Sequence, residues 1–157
     1  MSDIDPEILC EFLIESRENL DGMERELVVL ERDPNAMESI RVIFRAIHTV
    51  KGTAGFLGLE KLQRLTHVGE NLLSLLRDEE LLFTPALATV LLRLVDAVRT
   101  MLDHIEAHQA ENGDDQAALL ADLAAAAAGR PSSARIPVVS APVAAAPAIA
   151  APAPAAV

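Results

Sequence analysis

Aromatic residues and cysteine are scarce in this sequence of 157 residues. It contains no Trp, no Tyr, four Phe and one Cys. β-Strands are enriched in aromatic and β-branched side chains, so this composition, rich in Ala, Leu and Glu, favours helices. The lone cysteine, Cys10, excludes an intramolecular disulfide and fits a reducing cytoplasm. We expect Cys10 to be a small apolar residue of the core.

Acidic residues are absent after Asp122. Residues 1–129 hold all 24 Asp and Glu but only 11 of the 13 Lys and Arg, because Arg130 and Arg135 lie beyond them. The net charge of residues 1–129 is therefore -13. A domain this acidic repels nucleic acid and anionic lipid, so we expect neither as a partner.

The last part of the chain has no charge, from Ile136 to Val157. Five prolines interrupt this alanine-rich stretch, and repeated proline breaks a membrane-spanning helix. The acidic start of the chain lacks the apolar run of a signal peptide. We therefore predict no membrane insertion, a cytoplasmic location and an extended Ala/Pro-rich linker over residues 130–157.

Apolar residues recur at helical intervals of three and four through most of residues 1–129. Asp5 followed by Pro6 predicts the start of a first helix, which ends near Asp33 because Pro34 disfavours helical geometry in the residue before it. Asn35 can cap a second helix, which ends in the turn at 55–58. The inward stripes predicted for these two helices contain Ile8, Leu9, Phe12, Leu13, Leu20, Met23, Leu27 and Leu30, and then Ile40, Ile43, Phe44, Ile47, Val50 and Ala54.

Two more long helices and a short one complete the pattern. A third helix is predicted from about 60 to 77, and Thr84 followed by Pro85 starts a fourth. Gly113 ends that region, and Asp114 or Asp115 caps a fifth helix that closes at 129. Four long amphipathic helices with short connections predict an all-α fold over residues 1–129, an antiparallel four-helix bundle with a fifth short C-terminal helix.

One surface stripe of the second helix carries an unusual set of residues. His48, Lys51, Gly52 and Gly55 are spaced i, i+3, i+4 and i+7, so they share one side of the helix, and two arginines at 41 and 45 continue it. Each glycine inside a helix costs about 1 kcal/mol relative to alanine. Close approach by another molecule is one reason to keep glycine there.

The segment FRAIHTVKGTAGFLG at 44–58 resembles the phosphorylation-site helix of CheA-type chemotaxis histidine kinases. That family has F-R-x-x-H-[ST]-[IVL]-K-G-x-[AS]-x-x-x-G there, and THVGENLL at 66–73 is similar to its T-H-x-x-E-x-L-L. The resemblance covers about residues 4–128 and implies the histidine phosphotransfer (HPt) fold. The sequence departs from the family at Gly69, where a larger residue is more usual, and we expect this glycine to loosen the third helix.

The resemblance implies roles for four residues. His48 is the phospho-acceptor through Nε2, Glu70 accepts a hydrogen bond from its Nδ1–H, and Lys51 and His67 complete the network. A carboxylate on Nδ1–H fixes the tautomer that leaves the Nε2 lone pair free, and it stabilises the positive charge that develops during attack. Lys51, one turn after His48, can contact phosphoryl oxygens.

The resemblance also implies partners. The kinase catalytic domain of the same protein, acting in trans within a dimer, transfers phosphoryl from ATP, and an aspartate of a response regulator then receives it. Arg41, Arg45, Gly52 and Gly55 are the expected docking residues. The sequence has no Gly-rich nucleotide loop and no carboxylate cluster for Mg²⁺. We therefore expect the chain to bind no cofactor, with ATP and Mg²⁺ supplied through the kinase domain and the regulator.

Two other functions stay open. A free-standing HPt shuttle of a multistep phosphorelay fits the same motif, although such a shuttle needs no Ala/Pro tail. A non-catalytic helical adaptor or metal-binding bundle is the other alternative. His104 and His108 have the i, i+4 spacing of a zinc motif, but Ile105 stands where that motif has Glu. We therefore predict no metal site, and we expect the pair to favour the negative end of the helix dipole.

Overall fold

The structure, a computed structural model, describes residues 4–129, which contain five helices. These are α1 (Pro6–Arg32), α2 (Met37–Phe56), α3 (Glu60–Arg77), α4 (Pro85–His108) and α5 (Ala117–Ala127). None of these helices is both long enough and apolar enough to span a membrane. The predicted linker over 130–157 lies outside the described residues.

The four long helices pack in the cyclic order α1, α2, α3, α4. α1 contacts α2 and α4, α3 contacts the same two helices, and α5 lies on α3 and α4. Short connections make consecutive helices antiparallel. The predicted all-α bundle with a fifth short helix is confirmed. The close α2–α3 pair matters most for function, because His48 lies on α2 and Glu70 lies on α3.

Two helices begin as their sequences predict. The Asp5 carboxylate accepts a hydrogen bond from the backbone N–H of Glu7 at 2.8 Å, and the Thr84 hydroxyl accepts one from Leu87 at 3.2 Å. Proline occupies the first turn of both α1 and α4. A capping side chain satisfies an N–H that has no partner within the helix, so these caps fix where α1 and α4 start.

The predicted cap of α2 is wrong, whereas for α5 the predicted Asp115 does accept a helix N–H although the cap position itself falls on Gln116. Ala36 holds the cap position of α2 and no side chain caps it. Asn35 instead donates its backbone N–H to the Asp33 carboxylate at 3.1 Å, within the turn at the proline. Gln116 holds the cap position of α5, in the left-handed conformation. Asp115 precedes it and accepts the first N–H of α5 at 3.2 Å.

The start of α3 is held by a residue far away in the sequence. Leu59 occupies the cap position and has no capping side chain. The Glu111 carboxylate, from the α4–α5 connection, accepts the N–H groups of Lys61 at 3.1 Å and Leu62 at 2.7 Å. A carboxylate also suits the positive end of the α3 dipole. The loop before α5 therefore anchors the helix that carries Glu70.

Cys10 is exposed, so its predicted place in the core is wrong. Leu9 and Leu13 are four residues apart and share the buried face of α1. Cys10 lies about 100° around the helix from Leu9 and faces solvent. Ile8, also predicted to point inward, is 43% exposed.

Gly69 is a close-packing position between α3 and α4. α3 continues through it without interruption. A methyl group added there would lie 2.5 Å from Cδ2 of Leu94, whose side chain is fully buried. The glycine therefore lets the two helices approach, a role that helix propensity does not reveal.

Gly69→Ala is expected to destabilise the domain. The gain in helix propensity is about 1 kcal/mol. Overpacking a filled core costs about 1–3 kcal/mol, and we expect a net loss of about 1 kcal/mol. The urea midpoint of the variant should fall below that of the wild type. A higher midpoint would show that Leu94 repacks freely and that Gly69 has no packing role.

Candidate functional site

His48 lies in the middle of α2 on an exposed edge of the α2–α3 interface. Its side chain is 59% exposed, while that of Glu70 on α3 is 11% exposed. His48 Nδ1 and Glu70 Oε2 form a hydrogen bond between the two helices. One nitrogen of the imidazole is thus tied to the protein. Nε2 is not part of this bond.

Glu70 accepts two hydrogen bonds, one on each carboxylate oxygen. Lys51 Nζ donates to Oε1 at 2.7 Å, and His48 contacts Oε2. Burial raises the pKa of the Glu70 carboxyl, but the hydrogen bonds from Lys51 and His48 outweigh burial and hold this pKa below its ordinary value. Glu70 is therefore ionised at neutral pH.

The ionised carboxylate determines which nitrogen of His48 carries the proton. A carboxylate can only accept hydrogen bonds, so the Nδ1 that contacts it must be the protonated nitrogen. In neutral imidazole the other nitrogen then has the free lone pair. The bond between α2 and α3 therefore selects the tautomer with a nucleophilic Nε2.

Lys51 is drawn inward by Glu70. Its side chain is 22% exposed, and it lies one turn after His48 on the same side of α2. An ammonium group has three N–H donors, and Glu70 accepts one of them. The remaining donors leave Lys51 able to contact an anion beside His48 while its stem stays fixed.

His67 is not brought into this network. It is exposed, and among the described residues no hydrogen bond joins it to His48 or Glu70. It lines an open cleft of about 460 Å³ together with Lys51, Glu60, Gln63 and Arg64. Because Lys51 belongs to both features, the cleft adjoins the His48 site along the α2–α3 groove.

Phe44 and Arg77 complete the surroundings of His48. The rings of Phe44 and His48 are nearly parallel, with an angle of 12° between them and centroids 6.0 Å apart. The Arg77 guanidinium lies 4.3 Å from the centre of the Phe44 ring. The apolar stripe of α2 predicts Phe44 only as a core residue. Its i, i+4 spacing to His48 was the signal for this contact.

The expected docking residues all lie on α2 with His48, and they differ in exposure and in the open space beside them. Gly52 is exposed, and a methyl group added there would meet nothing within 4 Å in the part of the chain that the structure describes. At Gly55 the same methyl would lie 2.5 Å from Nε2 of Gln63, so that position is covered. Arg41 and Arg45 are both exposed, and Arg41 pairs with Glu38 at 3.5 Å.

His104 and His108 lie apart from this site, at the end of α4. Their rings stack with centroids 4.1 Å apart, and Nδ1 of His108 contacts the backbone oxygen of His104 at 3.1 Å. Within residues 4–129 no third His, Cys, Asp or Glu joins them in a group suited to a metal ion. Among the described residues, no hydrogen bond or ring contact joins the pair to His48, Lys51 or Glu70.

Comparison with known proteins gives the family of the chain. The profile of the Hpt domain family matches residues 7–129. The chain belongs to the Hpt domain family. The sensor histidine kinase CheAY of Helicobacter pylori is 40% identical over 96 residues, which are 61% of this chain and 12% of that protein. The chemotaxis protein CheA of Klebsiella aerogenes is 37% identical over 134 residues, 82% of this chain and 20% of that protein. The chain thus spans a small part of these relatives.

Two solved structures share the fold and part of the sequence. The phosphorylated P1 domain of CheA3 from R. sphaeroides, in complex with CheY6, has a TM-score of 0.74 and 31% identity, covering 78% of this chain and 97% of that one. The CheA phosphotransferase domain from Thermotoga maritima has a TM-score of 0.62 and 37% identity, covering 64% of this chain and 95% of that one. Within its family, the chain is a histidine phosphotransfer domain of the CheA type.

Proposed function

We propose that His48 is the phosphoryl carrier of a chemotaxis-type histidine kinase. It accepts the phosphoryl group from ATP, bound by a separate kinase domain, and passes it to an aspartate of a response regulator. The observation that carries this proposal is the bond between Nδ1 of the exposed His48 side chain and the ionised Glu70, which in the neutral ring keeps the proton on Nδ1 and leaves the Nε2 lone pair free. Glu70 orients the ring and Lys51 contacts the phosphoryl oxygens, while His67 lines the adjoining cleft.

The proposed transfer needs no proton to leave the ring. The Nε2 lone pair of His48 attacks the γ-phosphorus, the new N–P bond forms, and the bond to the departing ADP breaks. The ring becomes positively charged while Nδ1 keeps its proton beside the Glu70 carboxylate. In the second step a carboxylate oxygen of the regulator attacks phosphorus, and the N–P electrons return to Nε2.

The other components belong to the partners in this proposal. ATP and Mg²⁺ enter through the kinase domain and the regulator, and the chain itself holds no cofactor. The kinase domain of the same protein acts in trans within a dimer, in the cytoplasm. Arg41, Arg45, Gly52 and Gly55 form the surface on which these partners dock. A structural neighbour bound to CheY6 supports a regulator as partner. A free-standing shuttle would use the same site.

A two-stage transfer experiment tests the proposal. The chain is incubated with Mg-ATP and the kinase core of a CheA-type relative, separated from ATP, and mixed with a receiver domain. We expect acid-labile label on the chain, followed by its loss to the receiver. Without the kinase core the chain should remain unlabelled. Labelling by Mg-ATP alone would contradict the carrier role, and absence of labelling with the core would favour an adaptor.

Gly52→Ala is expected to raise the stability of the domain while slowing phosphoryl transfer. Within residues 4–129 no neighbouring atom lies within 4 Å of the methyl that would be added, so the substitution should stabilise the domain by about 0.5–1 kcal/mol through helix propensity. The same methyl lies one turn from His48, where a partner must approach. We expect transfer to the receiver to slow by about tenfold, or about 1.4 kcal/mol of barrier.

Gly69→Ala is the matched control, because it adds the same methyl inside the core. It should lower stability and leave the transfer rate of the folded fraction close to that of the wild type. Unfolding midpoints and single-turnover transfer rates measure the two effects. If Gly52→Ala transferred at the wild-type rate, the exposed glycine would not serve partner approach.

A further inference from the structure

The charges of the domain are segregated between its helices. Residues 37–77, which span α2 and α3, contain six Lys or Arg and three Asp or Glu. The rest of residues 1–129 contains five basic and 21 acidic residues. The α2–α3 pair therefore carries a net charge of +3 and the remainder -16, together the -13 of the whole domain. The positive part is the part that holds His48.

Burial strengthens this segregation at the surface. Of the three acidic residues in the α2–α3 pair, Glu70 is buried and bonded to Lys51 and His48, so it presents little negative charge to solvent. Glu38 forms an ion pair with Arg41. Glu60 alone among the three has no basic partner within ion-pair distance in residues 4–129.

Two arginines near His48 are exposed and have no carboxylate partner in the described residues. Arg45 lies three residues before His48 on α2, and Arg64 lies in the cleft that adjoins Lys51 on α3. By contrast, Arg17 and Arg99 bind carboxylates across the α1–α4 interface. Arg45 and Arg64 are thus available to a partner, whereas Arg17 and Arg99 are engaged within the fold.

We infer that the α2–α3 face, with Arg64 as a contributor beyond the docking residues named above, electrostatically steers the acidic phosphorylation pocket of a receiver domain onto His48. This inference rests on the proposed function. A pocket that accepts phosphoryl on an aspartate and binds Mg²⁺ needs several carboxylates, because Mg²⁺ takes oxygen ligands. Opposite charges raise the rate of productive encounter. The acidic remainder of the domain repels the same pocket and so disfavours docking on the wrong side.

Charge reversal at two exposed arginines tests whether the position of a positive charge on the domain affects the rate of transfer. Arg64→Glu and Arg25→Glu change the net charge equally. Arg25 is exposed on α1, outside the α2–α3 pair, and has no carboxylate partner in residues 4–129. The measurement is the second-order rate of transfer from the phosphorylated domain to a receiver domain with Mg²⁺. It is made at 0.01 M and at 1 M salt, where the screening length is about 30 Å and about 3 Å.

At low salt we expect Arg64→Glu to slow transfer by about fivefold and Arg25→Glu by less than about twofold. At high salt both variants should approach the wild-type rate. Equal slowing by the two variants would mean that only net charge matters and would overturn the inference. An Arg64→Glu effect that persists at high salt would also overturn it, because screening removes steering. Thermal unfolding checks that both variants are folded.

A parallel measurement shows whether the steered partner is the receiver domain or the kinase domain. The same variants are phosphorylated by the kinase core with Mg-ATP. If Arg64→Glu slows only that step and leaves transfer to the receiver unchanged, the steered partner is the kinase domain and the inference is wrong. If the wild type transfers nothing to any receiver, the proposed function itself fails. If the wild type transfers and Arg64→Glu transfers at the same rate, only the inference about steering fails.

Discussion

Replacing His48 by glutamine is expected to abolish phosphorylation while leaving the fold intact. The His48 side chain is 59% exposed, so its loss opens no cavity in the core. Glutamine can still donate a hydrogen bond to Glu70, but it has no ring nitrogen with a free lone pair. We expect the rate of labelling by a CheA-type kinase core to fall by at least about 10³-fold, because the nucleophile is removed. Acid-labile phosphate incorporated per chain measures the effect.

His104→Gln provides the matched control. It makes the same substitution at a partly exposed position of α4 that, among the described residues, has no hydrogen bond to His48, Lys51 or Glu70. It should be labelled at the wild-type rate. Labelling of His48→Gln at His67 or at His104 would show that the wrong histidine has been assigned.

Replacing Glu70 by alanine is expected to lower turnover more than affinity. The substitution lets the imidazole adopt the tautomer with its proton on Nε2, and it removes the charge that stabilises the ring during attack. The kinase core and ATP supply much of the remaining stabilisation. We expect phosphorylation turnover to fall by at least about tenfold, or about 1.4 kcal/mol of barrier. The Michaelis constant for the domain should change little, because Glu70 is buried.

Glu70→Gln distinguishes the orientation of the His48 imidazole from the effect of the negative charge of Glu70. Its amide oxygen can still accept from Nδ1–H, so turnover should lie between those of the wild type and Glu70→Ala. Unchanged turnover with a raised Michaelis constant in Glu70→Ala would instead place Glu70 in the docking surface. Stability must be measured alongside, because either change leaves the partly buried Lys51 without its carboxylate.

The pH dependence of stability gives an independent check on Glu70. Its pKa in the folded domain is held below the ordinary value, so the unfolded chain binds the proton more readily. The stabilisation from Glu70 is therefore fully present above the unfolded pKa and is lost as pH falls through the folded pKa. Between wild type and Glu70→Gln, the difference in unfolding free energy should shrink with acidification below about pH 4, since a carboxyl in an unfolded chain titrates near 4.3.

Features with a local cause could be predicted from the sequence. The starts of α1 and α4 follow from an N-cap residue followed by proline, because both act within one helical turn. The pairing of His48 with Glu70 was implied by a family pattern on two helices. The structure then brings these two side chains into contact. Helical spacing alone placed His48 and Gly52 on an exposed side of α2, but it did not show that Lys51 turns inward to Glu70 or that Gln63 covers Gly55.

Features that depend on distant residues could not be predicted in this way. The carboxylate that caps α3 comes from Glu111, about fifty residues later, so the residues near the start of α3 do not predict it. Helix propensity predicts that Gly69 weakens α3, whereas the structure shows that it makes room for the side chain of Leu94. Cys10 was misplaced because a small apolar side chain is compatible with either side of α1. In each case tertiary contacts decide what a short sequence window leaves open.

The position of the phosphoryl group on the ring tests the central claim most directly. The chain, labelled with ¹⁵N in its histidines, is phosphorylated by a kinase core and examined by NMR for coupling between phosphorus and ring nitrogen. Because Glu70 holds Nδ1, we predict one phosphoryl group, on Nε2 of His48, with the Nδ1 proton retained. A phosphoryl group on Nδ1 of His48, or on any other histidine, would contradict the account.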